Sequence, residues 1–345
     1  MTTSNSDFHL NRPGTLIAAL PAVLGFVPEN SLVLITIDGG EMGCVMRVDL
    51  SPELYESTGP LAGVAAAAAP DGAIAVVVDA DGLDCRACND DYRQLKITLE
   101  QSLADHGIHL LDFHIVDKVV SGGRWHRLDG PGGMVDDPTA SPLAVAAVLD
   151  GRRLYAKREE LHRVIEVTDP AASAALAAVI RRRSAAVRLD PPDAARDVRD
   201  AMSAASRVSA GEELSEATIA ALACALTDLQ VRDTLYALAI GEGADAAEAL
   251  WGLLSRTLPA PWRVEALVQL AFSAYARGDG PLAGVSLEEA LRCQPTHRMA
   301  GMLDQALQSG MRPEQIRDLA VTGYRLAGQL GVRLPKRRRF GRRAS

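Results

Sequence analysis

Two apolar runs, SLVLITI at 31–37 and AIAVVVD at 73–79, constrain the fold more than any other feature. Both are short, rich in β-branched residues and free of polar alternation, the pattern of strands buried on both faces of a sheet. Between and around them the period changes. Leu16, Leu20, Val23, Leu24 and Val27 recur at helical spacing after Pro13, with Pro21 expected to kink or restart the helix and Gly25 to close it. Gly39-Gly40 turns the first strand into a second, 43–50. A loop at 51–60 and helices at 61–69 and 91–107 follow, with strands at 109–120 and 124–128. This order of elements predicts an α/β domain with a mixed sheet. Residues 129–142, DGPGGMVDDPTASP, read as one long turn-rich loop, followed by short helices at 142–149 and 157–166.

From 168 onward strand signals stop, and helical runs separated by Gly, Pro or Asp continue to about 330. The chain therefore divides into a flexible N-terminus (1–10), an α/β domain (11–165), an all-α domain (166–330) and a basic disordered tail (331–345). In the helical half, Leu267, Leu270, Ala271 and Ala274 fit the first helix of a tetratricopeptide-like unit, and Ala283, Leu287, Ala290 and Pro295 fit the second. Thirty-four residues earlier, Tyr236, Ala237, Ala249, Leu253 and Pro261 fall at equivalent places. The same residues also suit a generic alanine-rich bundle, and spacing alone does not separate the two.

Charge sorts the candidate partners. The net charge is −8, yet 336–345 carries six positive charges, which leaves −14 on the rest. An acidic body with 4% aromatic residues lacks the footprint of a nucleic-acid binder. The basic residues Lys336, Arg337, Arg338, Arg339, Arg342 and Arg343 are expected to form a solvated arm able to touch polyanions weakly, or the acidic body of a second copy in a homo-oligomer. Arg12 precedes an apolar run, but Pro21 interrupts it and PENS follows in place of a small-residue cleavage site, unlike a secretory signal. No run reaches the ~18 apolar residues of a membrane span. Five scattered cysteines fit a reducing, cytoplasmic setting.

RPGTLIAALPAVLGFVPENSLVLI (12–35) resembles the opening signature of an actinobacterial family, domain-of-unknown-function family 4192. GGMVDDPTASPLAVAAVLDGRRLYAKREEL is similar to its central loop and following helix, and LQVRDTLYAL and LAFSAYARGDGPLAGVSLEEALRCQP to its helical second half. The resemblance spans roughly 10–330 and implies a fold and a lineage without an activity. It also implies a tryptophan-pair and cysteine-rich stretch before the central loop. Here RWHRLDGPGG stands there, with Trp125 and no cysteine, so metal or redox chemistry attached to that stretch does not carry over.

Three constellations are candidates for chemistry. Asp79 and Asp81 at a strand end form the Asp-x-Asp of phosphate-transfer enzymes, in which one carboxylate attacks and the other handles the proton; Lys118, Asp136 and Asp137 would be partners, although Leu83 stands where a hydroxyl residue is needed. Cys85 and Cys88 occupy the place of a thioredoxin-type dithiol between strand and helix, but Asp84, Asp90 and Asp91 disfavour a thiolate. The same cysteines with His106 and His109 or His114 have zinc-ligand chemistry, but 109 and 114 face opposite sides of a strand, against the convergence zinc needs. Phosphate-loop, nucleophile-elbow and zincin motifs are absent. The expectation is a chain without metal or cofactor that works as an interaction or scaffold protein through its helical domain. The alternative is a hydrolase or phosphate-transfer enzyme sited near Asp79, Asp81 and the 129–142 loop.

Overall fold

The computed structural model describes residues 12–67, 69–149, 155–187 and 193–338. The chain divides into two compact units that meet in sequence between Arg158 and Glu159.

The first unit is a mixed six-stranded sheet with helices. Its elements are α1 (Pro13–Leu24), β1 (Ser31–Asp38), β2 (Glu41–Asp49), α2 (Leu54–Ala66), β3 (Gly72–Val78), α3 (Arg86–Ala104), β4 (His109–Val116), β5 (Arg124–Arg127), β6 (Gly132–Met134) and α4 (Pro142–Leu149). Strand order is β2-β1-β3-β4-β5-β6. Only β3–β4 is parallel, running from Gly72 opposite His109 to Val78 opposite Val116. On one face Leu32, Leu34, Ala75, Val77, Phe113 and Ile115 bury against Leu61, Ala62 and Ala65 of α2 and Leu95, Leu99 and Leu103 of α3. Residues of opposite parity, Val33, Ile35 and Val76, are equally buried, which accounts for strands without alternation. α1 serves that second face, and Gly14 lies against the carbonyl of Met134 and the ring of Trp125.

Several boundaries differ from the sequence reading. α1 runs unbroken through Pro21, and Gly25 ends it in the left-handed region at φ 76°. α2 begins inside the expected 51–60 loop and carries Pro60 within it. α3 begins at Arg86, five residues before the expected start, so the Cys85–Cys88 segment is its first turn. The 129–142 segment contains an edge strand, β6, hydrogen-bonded to β5, and Val135 is buried with its N–H on the Gly123 carbonyl. Glycines permit this: a Cβ at Gly132 would sit 2.6 Å from the Trp125 carbonyl oxygen.

The second unit is helical: α5 (Arg158–Arg163), α6 (Pro170–Val187), α7 (Ala194–Ser209), α8 (Glu216–Ala225), α9 (Leu229–Leu235), a 3-10 turn (Tyr236–Ile240), α10 (Ala244–Thr257), α11 (Trp262–Arg277), α12 (Gly280–Cys293), α13 (Arg298–Gln308) and α14 (Pro313–Gln329). Side chains of Asp193, Ser215, Asp228 and Asp279 accept backbone N–H groups at helix starts. α11 is the centre, with Ala266 to Ala276 buried throughout and α10, α12, α14 and the 3-10 turn around it. The α11–α12 hairpin buries Leu267, Leu270, Ala271, Ala274, Ala283, Leu287 and Ala290. The first helix of the expected earlier unit does not form: Tyr236 and Ala237 lie in the 3-10 turn, whereas Ala249 and Leu253 lie on α10 and Pro261 stands between α10 and α11.

The expected free arm also needs correction. Val332 is buried, its N–H bonded to the Ala327 carbonyl. Tyr324 donates its hydroxyl to the Pro335 carbonyl at 2.9 Å, and Glu242 N–H donates to the Lys336 carbonyl and Arg338 N–H to the Ile240 carbonyl, both at 2.7 Å. Residues 332–338 are thus a docked extended segment, because backbone pairing with 240–242 overrides the mutual repulsion of the side chains. Arg339, Arg342 and Arg343, like residues 1–10, lie outside the described residues. Among the described residues no helix is long and apolar enough to cross a membrane.

Two glycines of α14 provide a paired test. A Cβ at Gly323 would meet the Thr234 carbonyl oxygen at 2.7 Å and the Ala237 Cβ at 2.8 Å, whereas one at Gly328 meets nothing within 4 Å. Gly323→Ala is expected to destabilise by about 1–3 kcal/mol through overpacking. Gly328→Ala should stabilise by about 0.4–1 kcal/mol through lower unfolded-chain entropy. Urea unfolding of both variants checks the opposite signs.

Candidate functional site

The carboxyl ends of β3 and β4 lie side by side because these strands are parallel, and the backbone N–H of Asp79 bonds to the Val116 carbonyl at 3.0 Å. The β3–α3 loop (79–85) and the β4–β5 turn (117–123) therefore form one edge. Open α/β sheets place ligands at such edges.

Asp79 is already engaged there. The Tyr92 hydroxyl, from the second turn of α3, donates to its Oδ2, and the Asp81 N–H donates to its Oδ1 at 3.1 Å. Gly82 makes room for this pair, since a Cβ would collide with the carboxylate and come within 2.8 Å of the Tyr92 oxygen. Asp81 and Lys118 are exposed on the same edge, and Lys118 N–H is held by Asp117. Asp136 points elsewhere, accepting the Thr15 hydroxyl at the start of α1. Asp137 caps the 3-10 turn at 138–140, and its bonds from Thr139 hold its pKa below the usual carboxylate value. Asp79 and Asp81 thus share a loop, while Asp136 and Asp137 are committed to local structure.

Sequence reasoning missed the residues that bind this edge together. Arg124 of β5 reaches Asp84 at 2.8 Å and Asp117 at 3.4 Å. The amide of Asn89 donates to the carbonyls of Gly82, Leu83 and Cys85. A ring nitrogen of His126 lies 3.3 Å from the Leu83 carbonyl oxygen. Asn89 lies two residues before the helix start expected from sequence and one turn inside the observed one, so the earlier start of α3 is what brings it to the loop. Arg124 and His126 offered no sequence signal, since a hairpin register had to bring them there.

Cys85 is the N-cap of α3, its Sγ accepts the Cys88 N–H at 3.2 Å, and the two cysteines are joined as a disulfide with Cα atoms 5.3 Å apart. His106 and His109 do not join them. They are exposed at the other end of α3, about 27 Å of helix rise away. His114 is on the opposite sheet face from α3, edge-on to Trp125 at 5.4 Å between ring centres. Among the described residues no group of three or more His, Cys, Asp or Glu could hold a metal ion.

The residues 13–314 match the family described as Domain of unknown function (DUF4192). The chain belongs to that family. No curated protein and no solved structure matches it. Membership brings no activity with it, so the reading of the DUF4192 chain rests on its own residues.

Two measurements probe this region. Tyr92→Phe and Asp79→Asn are each expected to destabilise by about 1–2 kcal/mol, with the double variant well short of the sum because both remove the same partly buried hydrogen bond; denaturant melts of the cycle read the coupling. His114 is buried, with Nε2 3.4 Å from Asp112 and Nδ1 without a partner. Burial lowers its pKa, Asp112 pulls it back up, and Arg127 lowers it further. The unfolded histidine takes a proton near pH 6.5, above the folded value, so folding stability is complete above that pH and declines as pH falls below it, by at most about 1.4 kcal/mol per unit. His114→Phe should flatten the pH dependence of thermal unfolding between pH 7 and 5.

Proposed function

We propose that this chain is an interaction protein whose helical unit holds a protein partner. A groove of about 440 Å3 on that unit carries the reading. It runs between α7, α10 and the 3-10 turn, with Met202, Ala205, Leu238 and Ala247 as apolar walls. Pro335 of the docked C-terminal segment closes one side, and the exposed Glu242 sits at the mouth. A cavity of this size accepts a large apolar side chain, and Glu242 favours a basic residue beside that anchor. The residues opening it are small, which is what the alanine-rich pattern of α7 and α10 supplies.

This reading takes the setting to be the cytoplasm, as cysteine usage suggested, and leaves self-association as one form the partner can take. The alternative, a hydrolase or phosphate-transfer site at Asp79 and Asp81, has weaker support. Asp79 is spent on Tyr92 and on the Asp81 N–H, and Asp136 and Asp137 serve α1 and the 3-10 turn.

Ser206 is exposed on the groove wall, so Ser206→Trp fills the groove without a core change. Full-length chain and variant, each tagged, are used to capture proteins from the native host. A partner held by the wild type and reduced at least about tenfold by the variant, with unchanged melting temperature, supports the reading. Identical capture by both overturns it.

A further inference from the structure

We infer that Cys85 and Cys88 form a redox-active pair that undergoes thiol–disulfide exchange with a low-molecular-weight thiol couple, Cys85 being the exchanging sulfur and Cys88 the resolving one. The inference is independent of the groove on the helical unit.

Four observations carry it. The two sulfurs are already bonded, in a Cys-Arg-Ala-Cys turn that directly follows the β3–α3 loop. The bridge spans only two intervening residues, and a loop this short removes the least entropy from the unfolded chain, so stapling does not account for it. The two sulfurs are inequivalent. Cys88 packs against the hydrophobic core of the sheet unit, whereas Cys85 caps the helix and accepts the Cys88 N–H. A thiolate at Cys85 would receive that N–H and face the positive end of a 19-residue helix. Finally, two of the three acidic neighbours that argue against a thiolate in the sequence are drawn into ion pairs in the fold: Asp84 with Arg124 and Asp90 with Arg93.

The surroundings also leave the pair open to a small reagent. Both cysteines are partly exposed, and the loop before them is held from beneath by Asn89 and His126. In a reducing compartment, disulfides that do form are characteristically transient or catalytic.

The exchange balances as follows. A small thiolate attacks Cys85 Sγ, the Cys85–Cys88 bond breaks, and Cys88 leaves as a thiolate that takes up a proton. A second small thiolate attacks the mixed disulfide, forming the small disulfide and releasing Cys85, which is protonated in turn. Two small thiols lose two electrons and two protons, and the protein disulfide gains them. In reverse, the Cys85 thiolate attacks the small disulfide and Cys88 resolves the mixed species.

Trypsin makes the test direct, because it cuts after Arg86, between the two cysteines. In the oxidised protein peptide 48–86 is tied to peptide 87–93 only through sulfur. Native full-length chain is equilibrated with graded ratios of reduced to oxidised glutathione, quenched with an alkylating agent, digested and weighed. The expected result is a smooth, reversible passage from linked to separately alkylated peptides. In Cys88→Ser, Cys85 should be alkylated about fivefold faster at pH 7 than the same thiol in a synthetic 80–93 peptide, and should accumulate a glutathione adduct. In Cys85→Ser, Cys88 should react more slowly than that peptide. Peptides that never link, a link that the native protein keeps at every ratio, or a Cys85 no faster than the peptide would each overturn the inference. Retained circular dichroism and melting temperature establish that each variant is folded.

Discussion

The parallel pairing of β3 with β4 is the constraint on which the sheet unit depends. A parallel pair cannot be closed by a tight turn and needs a crossover. The chain supplies α3, whose Tyr92, Leu95, Leu99 and Leu103 cover one face of the same strands. That crossover fixes where the loops go. Its start meets the carboxyl end of β3, so the Asp79–Cys85 loop and the β4–β5 turn must share an edge. Its far end carries His106 and His109 away from that edge. What can and cannot meet chemically is thus decided by the direction of one strand.

Charged groups in the two units are used in different ways. At the sheet edge the exposed Arg124 bridges the exposed Asp84 and the half-buried Asp117; exposed ion pairs add little stability, and this one holds two loops in register. In the helical unit the guanidinium of Arg263 is buried and satisfied by Glu289 and the carbonyls of Ser255 and Ile165. Arg277 pairs with Glu248 at 2.7 Å and Asp279 at 3.2 Å. Burial pushes the Glu248 carboxyl up while Arg277 pulls it down. Buried pairs of this kind are costly to break singly, because the remaining charge loses its partner. They tie α10, α11 and α12 into one arrangement.

The candidate chemistry illustrates how a local motif is re-weighted by its neighbours. Asp79-x-Asp81 looks like a catalytic pair in sequence, but one turn of α3 brings Tyr92 onto Asp79 and makes it a loop anchor. Cys85 and Cys88 look unfavourable among aspartates, until β5 and α3 deliver Arg124 and Arg93. The deciding residues lie between three and forty positions away in sequence and were legible only as unremarkable polar side chains.

Sequence by itself determined the strands β1 and β3, the helical runs that follow 168 up to about 330 and the Gly25 stop of α1, since each is written in local hydrophobic period and in Gly or Pro. The rest was decided by tertiary structure. A 3-10 turn replaces the first helix of a second repeat, because Tyr236 and Ala237 must pack beneath α11 and leave room for Gly323 of α14. β6 forms in a segment of turn-formers because Trp125 needs a flat glycine surface and gives its indole N–H to the Met134 carbonyl. Residues 332–338 dock despite their charge because the Ile240 carbonyl and the Glu242 N–H take their partners from Arg338 and Lys336. Long-range hydrogen bonds and close approach leave no periodic trace, so they become visible only when the chain is folded.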